Sequence, residues 1–246
     1  MTPDEARARL LALGLDADAA EVMFDHFADS ERRGKLGHGF SRISWLETQG
    51  FDLAARPVKG ASGNGVEHWD ANGALGYLTL AAICDDVIRE GVVGAKLIVA
   101  PGCFPTGALG YWARRVATGG YVAVLTATSP RRLPPPTGGP PLTGTNPLAI
   151  AIPSSGGEPL VTDVSMGAVT HGDVIAGHAR PEELVPFGGA LAHKAFALAV
   201  GLELFVSALA GPDHHSAVLL VARPEHDVVP GFRALADGVR LPGDSV

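Results

Sequence analysis

Cysteine is nearly absent from this chain of 246 residues: only Cys84 and Cys103 occur. Neither stands in a Cys-x-x-Cys or Cys/His spacing of the kind that holds zinc. Two reduced thiols in a cytoplasmic protein are the expectation, with a single disulfide as the alternative. Charge is also scarce. Only 18% of residues are Asp, Glu, Lys or Arg, the net charge is −7, and no basic run exists. A nucleic-acid surface needs clustered Lys and Arg, so no such partner is expected. No run of about eighteen apolar residues is free of a charge or a breaker, so no membrane span is expected either. The opening MTPDEARARLLALGLDADAA is charged and amphipathic and lacks the apolar centre of a signal peptide. Gly-x-Gly-x-x-Gly between a strand and a helix is missing, as are Gly-x-Ser-x-Gly, His-Glu-x-x-His and the phosphate-binding Walker A string. No internal repeat is visible.

Apolar residues, by contrast, make up 46% of the chain, enough for a sizeable core. Residues 3–34 read as two helices. Thr2 can cap the first with Pro3 at its first position, and Gly14 ends it. Asp16 or Asp18 can cap the second, which carries Ala20, Val22, Met23, Phe24 and Phe27 at helical spacing and closes at Gly34. A third helix runs through SRISWLETQG. Residues 54–76 read as extended and turn-rich. GYLTLAAICDDVIREGVVG is a helix stopped by Gly91, AKLIVAPG a buried strand, TGALGYWARRVATGG a helix and YVAVLTATS a strand, a rhythm like a βαβ step. The Pro- and Gly-rich stretch 130–147 reads as a rigid functional loop rather than a linker, because strands flank it tightly. GGALAHKAFALAVGLELFVSALAG is the longest helix. It is apolar nearly all round, which predicts a place in the centre of the core. A strand, SAVLLVAR, and a final helix follow.

Few groups can carry chemistry. His38 and Arg42 stand four apart in LGHGFSRI. An arginine fork suits a carboxylate, and a histidine can move a proton or donate to a carbonyl near neutral pH. A capping histidine and a surface arginine are the plainer alternative. GTNP at 144–147 is a turn that exposes backbone N–H groups of the sort that hold phosphates. Asp163 ends an apolar strand, and Lys194 opens the long helix. His214 and His215 are adjacent, so they converge poorly on one metal, and no metal site is expected. His171 and His178 read as loop residues, and Trp45, Trp69 and Trp112 as core or rim aromatics.

Taken in order, ERRGKLGHGFSRI, WDANGALG, TGALGYWARR, PTGGPPLTGTNPLAIAIP, PLVTDVSMG, HKAFALAVGLEL and VRLPGD resemble the strings of the malate/L-lactate dehydrogenase family, which lacks a Rossmann fold. The resemblance implies an α/β, non-Rossmann lactate/malate-dehydrogenase-like fold with a largely antiparallel sheet and an N-terminal helical segment. It divides the chain into that helical segment (1–50), a cofactor-binding and central sheet region (51–215), and a C-terminal strand and helix completing the same domain (216–246). It implies a cytoplasmic homodimer that uses NAD(P)H on a small carboxylate, a cyclic imino acid or a 2-oxo or 2-hydroxy acid. Arg42 would hold the carboxylate and His38 would line the cleft. Gly107, Ala108, Gly144, Thr145, Asp163, Ser165 and Lys194 would contact the dinucleotide.

The chain also departs from the pattern. Pro105 stands where the family has the histidine that serves as proton donor, Gly37 where it has a serine, and Ala195 where it has a glycine. The segment between DVSMGAV and PFGGALAHK is shorter than the family norm. With no donor at 105, an imine is the favoured substrate, since it can arrive protonated; His38, Cys103 or water are the possible substitutes. The alternatives are that the fold serves non-redox chemistry on a carboxylate, or that the chain is a catalytically idle binding subunit.

Overall fold

Short-range capping starts the chain as its sequence suggests. Thr2 and Glu5 form a reciprocal capping box on α1 (Pro3–Ala12), and the Asp16 carboxylate accepts from Ala19 N–H, 2.8 Å, to start α2 (Ala17–Arg32). The computed structural model describes residues 1–244. After α2 the chain makes a tight 3-10 turn at Leu36–His38 and enters the short α3 (Ser41–Leu46).

The strands are β1 (Val58–Gly63), β2 (Val66–Asp70), β3 (Ala95–Ala100), β4 (Val122–Ala127), β5 (Leu148–Ile152), β6 (Leu160–Val164) and β7 (Ala217–Ala222). They form one sheet in the order β1-β2-β3-β7-β4-β5-β6. Every pairing is antiparallel except β2 with β3, so the largely antiparallel sheet stands. The βαβ rhythm has a physical basis too. β3 and β4 run the same way, joined through α5 (Leu109–Thr118), but β7 is inserted antiparallel between them.

Alternation along the strands separates two faces. Ile98, Ala100, Leu125, Ala149, Val161, Leu219 and Val221 point into the main core with α2, α4 (Gly76–Glu90) and α5. Val99 and Val218 point the other way, onto Val206. Val206 belongs to α7 (Ala192–Ala210), the long apolar helix.

Here the structure corrects the sequence reading. α7 is not central: it lies on the outer face of the sheet and buries only the stripe Ala192, Ala195, Ala199 and Val206. Leu198, Leu204, Phe205 and Leu209 face outward. Periodicity could not reveal this, because a helix apolar all round has no pattern that says which side is covered. By length and composition, Gly189–Ala210 is also the one segment among the described residues that could cross a membrane, which the residue-by-residue reading had not marked. Two short helices complete the chain: α6 (His171–Ile175) and α8 (Val229–Leu235).

Candidate functional site

The turn after α2, the start of α4, the segment before α5, the ends of β4 and β6, and α6 converge on one cavity of about 370 Å³. His38 and Arg42 both line it. They are not on one helix, since α3 begins only at Ser41. The 3-10 turn aims them together instead: His38 N–H donates to Lys35 O, 2.8 Å, Ser41 Oγ donates to Leu36 O, 2.9 Å, and the Glu31 carboxylate accepts from Phe40 N–H, 2.8 Å. Gly37 packs so tightly on α6 that a Cβ there would stand 2.6 Å from Asp173 N. The serine implied by the family pattern therefore cannot be accommodated without moving α6, which accounts for the glycine.

Arg42 is 8% exposed, with its guanidinium 3.9 Å above the centre of the Trp45 ring. Among the described residues no carboxylate lies within ion-pair distance of it. A buried guanidinium without a counter-charge is costly, so the site is built to receive an anion. The nearby acids are already engaged. Asp163 pairs with Lys35, and Asp173 closes a capping box with Thr170 at the start of α6. Burial pushes the His38 imidazole down to about 4, against a smaller upward pull from Asp163. His38 is therefore neutral at pH 7 and presents one N–H donor and one acceptor.

Beneath the cavity, His26 is fully buried and fixes the turn before α5. Its Nε2 accepts from Ala108 N–H, 3.0 Å, which places the proton on Nδ1, an atom with no hydrogen-bond partner. Burial pushes this ring down to about 3. The Tyr77 ring packs edge-on to it at 5.0 Å. The Tyr77 hydroxyl is buried without a hydrogen-bond partner, facing Arg42; burial raises its pKa and Arg42 pulls it back.

Of the residues expected at the site, the structure brings His38, Arg42, Gly107, Ala108, Thr145, Asp163 and Ser165 to this one cavity. Gly144 and Lys194 are outside its lining. Gly144 N–H, expected to be free for a phosphate, instead points at the Glu203 carboxylate of α7, 3.4 Å away, while the Asn146 amide donates to Glu203 and to Ala199 O. The GTNP turn thus anchors α7 to the sheet. Pro105 does line the cavity, but Cys103 does not: its thiol is buried against Gly76 O, 3.7 Å, and burial pushes its pKa far up, so it is no proton source. Several lining residues went unnoticed as site residues in the sequence, among them Tyr77, Trp45, Arg132 and His171. Tyr77 sits in a run of apolar helix, and Trp45 reads in the sequence as a core or rim aromatic. Arg132 sits among prolines, and His171 was read as a loop residue but opens α6.

Residues 3–191 match the malate/L-lactate dehydrogenase family. The chain belongs to that family. A (2R)-3-sulfolactate dehydrogenase (NADP(+)) from Chromohalobacter salexigens is 32% identical over 76% of this chain and 57% of its own length. The chain thus spans little more than half of that relative. A Delta(1)-pyrroline-2-carboxylate/Delta(1)-piperideine-2-carboxylate reductase from Pseudomonas syringae pv. tomato is 30% identical over 85% of this chain and 68% of the relative. A solved delta1-piperideine-2-carboxylate reductase from the same organism superposes with a TM-score of 0.79 at 26% identity, over 98% of this chain and 89% of that one. Malate dehydrogenase from Entamoeba histolytica, at 19% identity, shares the fold with a TM-score of 0.82 over 99% of this chain and 86% of its own. The fold of these solved structures is therefore retained over nearly all of this chain.

Proposed function

We propose that this family member is an NAD(P)H-dependent reductase of a small carboxylate, either a cyclic imino acid or a 2-oxo acid, with the carboxylate seated on Arg42. The observation that carries this reading is the buried Arg42 guanidinium, which among the described residues has no carboxylate partner and which lines the cavity together with His38. The cavity walls suit a nicotinamide beside a small substrate. Gly107 and Ala108 bring bare backbone to the edge, and Thr145, Ser165 and Asp163 add polar groups. Gly107, Ala108, Thr145, Asp163 and Ser165 are the residues we assign to the cofactor. When bound, NAD(P)H supplies a hydride to the carbon of the C=O or C=N bond.

The protein's own part is to orient and to protonate. Arg42 fixes the carboxylate and so the position of the neighbouring carbon. His38, held neutral, donates a hydrogen bond to the carbonyl oxygen or imine nitrogen. With proline at 105, we assign the donor role to His38 and Tyr77 among the donors that line the cavity, which also include Lys35 and His171. An imine that enters already protonated needs neither, which favours imino acids.

The test is a titration with NADH and NADPH followed by nicotinamide fluorescence, then NAD(P)H oxidation with Delta(1)-piperideine-2-carboxylate and with pyruvate. Micromolar cofactor binding and turnover of the imine are expected. Failure of both cofactors to bind would sink the redox reading. Pro105 would then favour non-redox chemistry on a carboxylate held by Arg42.

Within the same proposal, a second copy of the chain covers the exposed apolar face of α7, a contiguous patch of the kind that marks an interface. Sedimentation at micromolar concentration should give twice the 25.3 kDa chain mass. A monomer would remove the dimer from this account.

A further inference from the structure

The wall of the cavity before α5 is held from behind by two buried rings. His26 and Trp112 are outside the cavity lining, whereas Thr106, Gly107 and Ala108, the residues they hold, are all in it. The Trp112 indole N–H donates to Thr106 O, 2.8 Å, and His26 accepts from Ala108 N–H, 3.0 Å. The two rings stack with 5.4 Å between centres and 23° between planes. Tyr77 and Tyr111 each meet His26 edge-on at 5.0 Å and Phe27 does so at 5.5 Å, so the imidazole is packed on several sides. An apolar side chain in such surroundings would avoid the buried Nδ1–H that here lacks an acceptor. What the imidazole adds is the bond to Ala108, and burial keeps the ring neutral, and so an acceptor, throughout the neutral pH range.

These two bonds decide how the polar groups of Gly107 are turned. Both flanking peptides are trans, and in a trans peptide the C=O and N–H point in opposite directions. Thr106 O is turned to Trp112, so Gly107 N–H, in the same peptide, is turned away from the indole. Ala108 N–H is turned to His26, so Gly107 O is turned away from the imidazole. Neither Gly107 N–H nor Gly107 O has a hydrogen-bond partner among the described residues, and Gly107 is partly exposed at the cavity wall. Its neighbour is engaged, since Ala108 O accepts from Tyr111 N–H, 3.2 Å. The bare Cα of Gly107 rests on the rings: a Cβ there would stand 2.5 Å from His26 Nε2 and from Tyr77 Cε1. Backbone donors and acceptors are satisfied almost without exception, by water or a ligand where the protein supplies nothing. One residue thus presents both a donor and an acceptor on a backbone fixed from behind. A primary carboxamide carries the complement, a carbonyl oxygen and an NH2 group.

We propose that His26 and Trp112 are positioning residues, which by engaging Ala108 N–H and Thr106 O leave Gly107 N–H and Gly107 O to read the carboxamide of the nicotinamide ring. The identity of the ligand rests on the reductase reading; the positioning does not. Ala108 N–H, already turned to His26, is not available to a phosphate, so this turn takes the neutral end of the dinucleotide. Selectivity at Gly107 then follows from hydrogen-bond pattern: a group of the same size without an N–H leaves Gly107 O unmet.

The test uses the reduced dinucleotide that the wild type binds more tightly, NADH or NADPH, and its 3-acetylpyridine analogue, which carries a methyl group in place of the carboxamide NH2 and has the same charge. Both are titrated calorimetrically into the full chain. The wild type should favour the carboxamide by roughly three- to tenfold, the size of one hydrogen bond between neutral groups. His26→Leu, which cannot accept, and Trp112→Phe, which cannot donate, should each bring that ratio close to one. The two act on opposite ends of the turn, so either decides the matter if the other fails to fold. His26→Gln places a carbonyl oxygen near the position of Nε2 and should restore the ratio to within about twofold of wild type. A role confined to packing would weaken both dinucleotides alike and leave the ratio in place. Amide exchange at Ala108 in the free protein supplies a reading without cofactor: it should quicken in His26→Leu and stay slow in His26→Gln. Equal binding of the two dinucleotides by the wild type, or a preference that survives in His26→Leu or Trp112→Phe, would overturn the proposal. If neither dinucleotide binds, the reductase reading fails and exchange alone decides. Slow exchange at Ala108 in His26→Leu would then remove the positioning role, and fast exchange there with slow exchange in His26→Gln would keep it.

Discussion

Arg42→Ala should reduce kcat/KM for any carboxylate substrate by roughly 10²–10³-fold, the cost of removing one partner of a buried, hydrogen-bonded charge pair. The same change should hardly affect the stability of the free protein. The guanidinium is buried on Trp45, and among the described residues no carboxylate pairs with it. Its removal forfeits a cation–π contact worth about 0.5–2 kcal/mol but also relieves the desolvation of an unpaired charge. The two effects oppose, so a melting temperature within about 4 °C of wild type is expected. Steady-state kinetics and thermal unfolding on one preparation decide the matter. Unchanged kcat/KM would remove Arg42 from the site, and a collapse of stability would make it a structural residue.

Gly107→Ala should do the reverse, acting first on the fold. Gly107 has φ +67°, and a Cβ there would lie 2.4 Å from His26 Cε1 and 2.5 Å from Tyr77 Cε1. Neither ring can retreat. His26 stacks on Trp112 with 5.4 Å between ring centres, and Tyr77 meets Phe27 at 5.3 Å. A left-handed backbone costs a non-glycine residue about 1–2 kcal/mol and overpacking adds about 1–3 kcal/mol. We therefore expect a loss of about 2–5 kcal/mol, large against a typical total of about 5–15 kcal/mol. Gly65 supplies the control: its φ is +77°, but nothing lies within 4 Å of its missing Cβ. Gly65→Ala should cost only the backbone part. Urea midpoints measure both, and equal losses at the two positions would refute the packing argument.

Much of this architecture was legible because short-range chemistry specifies it. Thr2 and Asp16 as caps, Gly14, Gly34 and Gly91 as stops, and the apolar strands all stand where the residues place them. The seven ordered strings gave the family, and the rigid loop at 130–147 is explained by its bridge at Leu133 and Thr143. What could not be read was which side of an element meets what. α7 is apolar all round, so its exposed face was invisible. Gly144 has the residue type of a phosphate turn, but its N–H is directed at Glu203, a partner 59 residues away in the chain. Tyr77, Arg132 and His171 lie in three unrelated segments, and only the folded chain brings them to one cavity with Arg42. Residue type marks what a group can do, while long-range geometry decides which groups do it together.

The place of β7 constrains how the molecule is made. Among the described residues it is the last strand, yet it lies between β3 and β4 and supplies the only strand pairing between the β1-β2-β3 half of the sheet and the β4-β5-β6 half. During synthesis the two halves remain unjoined, each with a bare inner edge, until Ala217–Ala222 has emerged. Pairing at such sequence separation is slow, and open strand edges recruit other chains. Completion of the sheet thus follows translation of all six other strands, and the cavity, whose walls come from both sides of that join, cannot exist before it.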